Sequence, residues 1–496
     1  MSSSAIELNK LSSSASTKLD DSLEVATRMP LPPSTSTVYL DRTRTVATLD
    51  YSCNDTGSQN IARLPPTDRG FDAWTFLVAA FCVETIVWGF PSAFGVFLDA
   101  YLRDARFANQ PHADTLLPLI GNLTSGILYC TGPFVYPIIY RYPRSRRPAM
   151  WLGSAICFGS LMAASYTTKV TNLVAYQGVL YALGGVLLSH PCLSYTSEWF
   201  VERRGLAYGA IYAGTAVGGL LLPLLLPSLI EKRGSAVALR ITAIVFAAFL
   251  LPSLPFLKGR LPESRIHGPS TRSSSEPKWY KDAGFVVVVV INTLQGFGYF
   301  VPILWLPTFA SELKLSATNA SLALAVLNGS SVIGRLGIGV LSDAIDPWLL
   351  ALSTLFGSCL TTFVLWGVLS YTLGGLISFG LFYGLVAGGW SSLWTGFIRP
   401  ISPEDPKVAT KLTGYLMLSR GLGNILSTPI SAALASRHFE HASTFSRGRL
   451  GFDVGGGRFE KMIIYTGTCF AGATILAGSG WFIEKSRGNR KGERLD

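Results

Sequence analysis

The sequence predicts an all-α polytopic membrane protein, with twelve transmembrane helices arranged as two six-helix bundles. Three observations carry that reading. Hydrophobic residues make up 49% of the 496-residue chain and charged residues only 14%, and the mean hydropathy is +0.37. Apolar runs long enough to cross about 30 Å of hydrocarbon recur from Trp74 onward. The longest connection expected on the cytoplasmic side, 258–283, divides those runs six and six. Fifty glycines and eleven tryptophans fit such a chain, since both are common in spans and at membrane interfaces.

Residues 1–70 are rich in Ser, Thr and Pro and poor in large apolar residues, the composition of a disordered cytoplasmic tail. No short apolar region precedes a cleavage site there, so no signal peptide is expected. The first bundle is expected over 71–257, with spans at 74–98, 115–140, 149–168, 173–197, 206–230 and 238–257. After the 258–283 linker, the second bundle covers 284–484, with spans at 284–306, 319–341, 348–369, 372–397, 412–436 and 462–484. Residues 485–496 form a short cytoplasmic tail.

Orientation follows from Lys and Arg in the connections. The second-to-third connection carries Arg141, Arg144, Arg146 and Arg147, and the linker and the last residues are also basic. These segments all fall on the cytoplasmic face if both ends of the chain are inside. The 437–461 connection, expected outside, dissents with Arg437, Arg447, Arg449, Arg458 and Lys461.

The net charge of +11 is accounted for by basic loops facing anionic lipid. No nucleic-acid-binding motif accompanies it. The seven cysteines show no CxxC and no dense spacing, so neither a disulfide framework nor a metal site is expected. There is no phosphate-binding GxxxxGK[ST] loop, no HExxH and no GxSxG, so no cofactor and no catalytic site is expected. Transport energy would then come from a solute or ion gradient.

The most specific stretch runs from Glu198 to Gly219. Trp199-Phe200 is followed by Arg203-Arg204, and then Gly205, Gly209, Gly214 and Gly218 recur among alanines. In lipid, glycines four apart let helix backbones approach closely, so these four are expected to pack helices. The string Trp199-Phe200, Arg203-Arg204, Leu206-Ala207-Tyr208-Gly209, Ala213-Gly214 resembles the signature of the monocarboxylate porter family within the major facilitator superfamily. Asp68-Arg-Gly70 leading to Trp74, Phe90-Pro91, Gly132-Pro133 with Tyr140-Arg141, and Gly334-Arg335 through Asp343 are similar to further family segments. The resemblance implies two bundles that rock about a midplane site, and a pattern closest to fungal members. Two positions depart from it. Ser92 stands where animal carriers have a lysine, and Ser331 where they have an aspartate four residues before the arginine, here Arg335. Proton-linked lactate carriage is therefore not implied.

Candidate site residues follow from the cost of polar groups in lipid. Glu84 lies about ten residues into the first span, where a charge costs on the order of 3 kcal/mol. It is read as a proton carrier or substrate contact, or alternatively as a carboxyl bonded to a neighbouring helix. Arg335 could bind an anion, or snorkel and pin a gate. Asn292 and Gln295, three apart, share a helix face and could line a cavity. Trp88-Gly-Phe-Pro91 and Gly296 through Pro302 are Gly- and Pro-broken segments at matching places in the two halves, a pointer to a midplane site. Tyr383 and Trp390 could stack on an aromatic cargo, and Trp394 could do so or sit in an interfacial belt. With Ser92 and Ser331, these residues make up the expected substrate and proton pathway. Arg141, Arg144, Arg203, Arg204, Asp343 and Arg420 are the expected gating set, with Asp343 and the Arg141–Arg147 cluster holding the halves together. His190, before Pro191, is read as satisfying groups freed by the kink rather than relaying protons.

The expected activity is secondary transport of a small organic solute, monocarboxylate-like or a fungal metabolite, with protons as a candidate coupling ion. Uniport or efflux of a drug-like compound, and a non-transporting receptor, are the alternatives. The expected partners are the solute, the lipid bilayer and protons. Nucleic acid is not among them, and no oligomer is required. The plasma membrane is the default location, with a vacuolar or other internal membrane as the alternative.

Overall fold

The computed structural model describes residues 64–261, 282–402, 405–435 and 450–492, and these contain helices and no strand. The expected tail, apart from its last residues, and most of the linker lie outside them, as do Arg437, Arg447 and Arg449. The helices are α1 Phe71–Arg103, α2 Ala113–Cys130 continuing as Gly132–Arg141, α3 Arg146–Ala164 and α4 Val170–Trp199. A continuous run, Arg204–Ser253, turns back at Gly234 (φ 81°, ψ 162°) and is two spans, α5 over 204–233 and α6 over 235–253. The second half has α7 Ala283–Glu312, α8 Ala317–Ala344, α9 Pro347–Leu369, α10 Leu373–Ile398, α11 Pro406–Leu434 and α12 Glu460–Gly492.

Eight of the described helices are long and apolar enough to cross a membrane by length and composition. One of these is the doubled α5–α6 run, and the broken α2, the 19-residue α3 and the more polar α11 complete the twelve. An even number of spans returns the chain to the face from which α1 starts, called here the terminal face.

Several ends differ from the hydropathy reading, each for a local reason. α1 runs on to Arg103 because an Asp99–Arg103 pair at 2.9 Å extends it one turn beyond the apolar stretch. α11 begins at Pro406, six residues before the expected 412, because Asp405 accepts from Lys407 N at 2.8 Å and Pro406 takes the first helical position. α12 continues to Gly492 through the segment expected as a tail, since no proline lies between Lys485 and Gly492 to stop it.

Within each half, equivalent helices pack alike. α1 lies along α5 and α7 along α11, while across the halves α5 meets α8 and α2 meets α11. Glycines make these approaches possible. Gly205 and Gly214 are nine residues apart, about two and a half turns, so the two glycine pairs of α5 point to opposite sides. A Cβ on Gly214 would meet Phe81 O at 2.5 Å and Thr85 Oγ1 at 2.9 Å on α1. A Cβ on Gly209 would instead meet Arg335 O at 2.6 Å and Gly339 Cα at 3.1 Å on α8. One helix therefore has one partner in its own half and another in the opposite half.

Charges at the far face settle part of the dissent noted above. Arg458 pairs with Glu312 at 2.9 Å, caps Ala435 O at 3.0 Å and lies over the rings of Trp305 and Phe459. It ties α7, α11 and α12 together, so its charge is structural there.

Candidate functional site

Between the two halves lies a narrow cavity lined by both; its atom-free space of about 390 Å³ includes open solvent, and the enclosed room in this closed form is only about 20 Å³, water-sized. α1 supplies Glu84 and Trp88, α2 Tyr129, α4 Leu193, and α5 Tyr212 and Thr215; α8, α10 and α11 supply Arg335, Ser391, Trp394, Met417 and Arg420. Four aromatic rings and three charges make it amphipathic.

Glu84 is fully buried. One carboxyl oxygen accepts from Ser189 on α4, and the other has no partner among the described residues. A proline seven residues on, Pro91, breaks the ladder of α1, and Tyr181 donates to Ile86 O at 2.9 Å near the break. The second half repeats the arrangement. Gln295 stands seven residues before Pro302, and Tyr383 donates to Gly298 O at 3.4 Å and Tyr299 O at 3.1 Å. Gly298 O is the carbonyl that Pro302, lacking an N–H, leaves without its helical donor. Tyr383 is thus a backbone partner, stacked on Tyr299 with centroids 6.3 Å apart, and it does not line the cavity.

The two arginines differ in how fully they are used. Arg335 donates from Nε to Gly388 O at 3.1 Å, from NH1 to Tyr212 O at 2.5 Å and to Thr215 Oγ1, and from NH2 to the Tyr299 hydroxyl at 3.2 Å. It thereby ties α8 and its neighbours α7 and α10 to α5 of the other half. Among the described residues Arg420 donates from NH1 to Gln295 Oε1, and the Tyr129 hydroxyl lies beside its guanidinium. Its guanidinium lies 4.5 Å from the Tyr299 ring centroid and 5.3 Å from that of Phe300, and its Nε has no partner among the described residues. Neither arginine is in an ion pair among the described residues. Arg420 is 14 residues from each end of α11, at mid-helix, and it lines the cavity beside Glu84 and Arg335 rather than the closed terminal face.

Other expected pathway residues hold the frame. Asn292 donates to Leu416 O at 2.7 Å and Ser419 Oγ at 2.5 Å, and accepts from Trp390 Nε1 at 2.7 Å and Trp394 Nε1 at 3.0 Å. Both its ends are engaged, and Trp390 is spent on it; Trp394 is buried rather than in a lipid-facing belt. Ser331 donates to Gly384 O at 3.2 Å between α8 and α10, and Ser92 is exposed, away from the cavity. His190 is 3.4 Å from Thr131 Oγ1 and packs on the Tyr136 ring at 5.1 Å, so it joins α2 to α4 rather than bonding a carbonyl freed by Pro191.

The terminal face is closed by backbone-directed contacts. Asp343 accepts from Gly205 N at 2.8 Å and Leu206 N at 2.9 Å, capping the first turn of α5 from the opposite half. Arg204 donates to Ser402 O at 3.1 Å, and Tyr140 donates to Thr410 Oγ1 at 2.8 Å. The Arg141–Arg147 cluster does not pair with Asp343. Its buried member, Arg146, pairs with Glu198 at 2.5 Å within the first half, while Arg141, Arg144 and Arg203 are exposed. Asp68, not singled out from the sequence as a site residue, accepts from Val201 N at 3.1 Å, Glu202 N at 3.1 Å and Arg203 N at 2.9 Å.

Trp88, Tyr129, Tyr212, Thr215 and Met417 were also missed as lining. The broken segment ending at Pro91 was the available signal for Trp88; the others converge from three helices whose rotation no single-helix spacing reveals.

Twelve helices in two packed halves, with a charged cavity between them and a closed face at one end, define a multi-pass membrane transporter. The sequence profile described as Major Facilitator Superfamily matches residues 76–428, well over half the chain. The chain belongs to that superfamily, and it is a transporter, not an enzyme. It is 28% identical over 384 residues to the MFS transporter asaE of Aspergillus flavus, covering 77% of this chain and 85% of that one. It is 25% identical to the fujikurins efflux protein of Gibberella fujikuroi (85% of each) and 25% identical to the aspyridones efflux protein apdF of Emericella nidulans (81% and 80%). Among solved structures, the proton:xylose symporter XylE bound to 6-bromo-6-deoxy-D-glucose superposes with a TM-score of 0.61 at 15% identity, covering 82% of this chain and 95% of that one. At that identity the likeness concerns the fold alone.

Proposed function

We propose that the protein exports a small organic solute of the secondary-metabolite kind by alternating access about the Glu84–Arg335–Arg420 cavity. The observation that carries this reading is a mid-membrane cavity built from both halves, charged and aromatic at once, beneath a face closed by contacts between the halves. The efflux relatives support the cargo class and the direction. Kinship with the monocarboxylate porters rests on the Glu198–Gly219 string, and the departures at Ser92 and Ser331 count against a lactate-type cargo. The terminal face is the cytoplasmic one, since the connection at Arg141–Arg147 and the linker are basic. The plasma membrane is the location in which export clears the cell.

Glu84, the one acidic side chain among the described residues of the cavity lining, is the candidate proton carrier. The test is export by a transport-deficient host expressing the chain, screened by mass spectrometry over a panel of fungal metabolites. Transport in inside-out vesicles is then measured with and without an imposed pH gradient. Wild type is expected to respond to the gradient and Glu84→Gln to lose that response while still moving cargo. If wild type itself ignores the gradient, the uniport reading replaces proton coupling; the Ser189 hydrogen bond, which gives Glu84 a helix-pairing role, favours that second reading.

A further inference from the structure

We propose that the cavity receives an organic anion with a planar aromatic body, and that the anion is seated by Arg420 rather than by Arg335. The inference rests on the reading of the cavity as the transport site and adds the cargo's chemistry to it. Arg335 is saturated: four of the five N–H groups of its guanidinium are committed to Gly388 O, Tyr212 O, Thr215 Oγ1 and the Tyr299 hydroxyl. These partners come from three helices, α5 of one half and α7 and α10 of the other, so its work is to hold the halves in register. Arg420, 2% exposed, has among the described residues only neutral partners, the Gln295 amide and the Tyr129 hydroxyl, and a buried Nε with none.

A buried guanidinium cannot shed its charge, so the lack of an ionised partner points to a counter-charge that arrives with the cargo. Glu84 does not supply it, since no ion pair joins Glu84 to either arginine among the described residues. Tyr299 and Phe300 cover the guanidinium with their rings, which fixes its plane while leaving edge N–H groups for a carboxylate or enolate. Trp88, Tyr129, Tyr212 and Trp394 then provide flat apolar walls for the body of the ligand.

Gln295 supplies an independent handle. It already touches NH1 of Arg420, so Gln295→Glu would place a resident carboxylate on that guanidinium without removing it. The probes are 2-naphthoate and its uncharged counterpart 2-naphthamide, added to the purified full-length protein, with binding read by quenching of tryptophan fluorescence. Wild type is expected to prefer the acid over the amide by about tenfold or more, the scale of one charge-assisted pair. Arg420→Gln and Gln295→Glu should both abolish the preference, and Arg420→Lys should keep part of it.

An acid preference that survives in both Arg420→Gln and Gln295→Glu overturns the proposal. Equal binding of acid and amide by wild type overturns it too, as does quenching by neither. Those failures are separable from failure of the transport reading, which is judged by Thr215→Trp. Filling the cavity from α5 should stop the cellular export described above whatever the charge of the cargo.

Discussion

Tyr383 shows how a side chain suited to binding can be committed elsewhere. An aromatic with a hydroxyl in a span invites a stacking role, but its hydroxyl answers Gly298 O, the carbonyl left by Pro302 on α7, and the neighbouring Tyr299 O. Tyr383→Phe should therefore lower stability by about 1–2 kcal/mol, the cost of an orphaned buried acceptor, with little change in cargo affinity. Thermal unfolding in detergent, beside the naphthoate titration, checks both halves of that statement. At this scale the sequence revealed which residues are costly in lipid but not where their hydrogen bonds go. Glu84 and Arg335 were legible because a charge in a span demands a reason. The double engagement of Asn292 by two tryptophans was not, because it joins three helices whose faces are set only by packing.

At the scale of the helix, hydropathy located the spans well and their ends less well. α11 is the instructive case. Its first six residues, Pro-Lys-Val-Ala-Thr-Lys, are too polar to enter an apolar window, yet a proline at the first position and an aspartate cap make them helical. Missing them put Arg420 near the start of its span and suggested a gate, when it stands at mid-helix and lines the cavity. Glycine spacing on α5 was visible, but its two opposite partners were not, since a spacing names a face and not a neighbour. The two pairs make opposite predictions. Gly214→Val forces α1 and α5 apart inside one half and should destabilise the protein by about 1–3 kcal/mol, seen as a lower melting temperature. Gly209→Val crowds a contact between halves and should leave the melting temperature nearer wild type. It should expose the terminal face instead, read as faster labelling of a cysteine introduced at Thr413, which is buried in the closed form.

For the whole molecule, closure of the terminal face among the described residues depends on hydrogen bonds, Asp343 onto amides of α5 and Arg204 onto Ser402 O, rather than on pairs of opposite charges. The Asp343 cap joins α8 to α5, so Asp343→Ala should disfavour the closed arrangement by on the order of 2 kcal/mol. Spin labels at the terminal ends of α2 and α11 should then report a longer distance population, with the fold intact. An unchanged distance distribution would remove Asp343 from the closing apparatus. The twofold plan of the molecule was faintly legible in the two Gly- and Pro-broken segments. Its fuller expression, Glu84 and Gln295 each seven residues ahead of a kink proline, takes on meaning only when Glu84 is seen in the cavity lining and Gln295 holding Arg420, which also lines it.

The double-faced α5 constrains how such a carrier can move. A rod bolted along one edge to α1 cannot spin about its own axis to let go of α8 without tearing that seam. The pair must swing outward as one plank, peeling from α8 like a door from its jamb. The hinge line therefore belongs to the half as a whole, and any drug or lipid wedged into the slit between α5 and α8 would prop the carrier ajar.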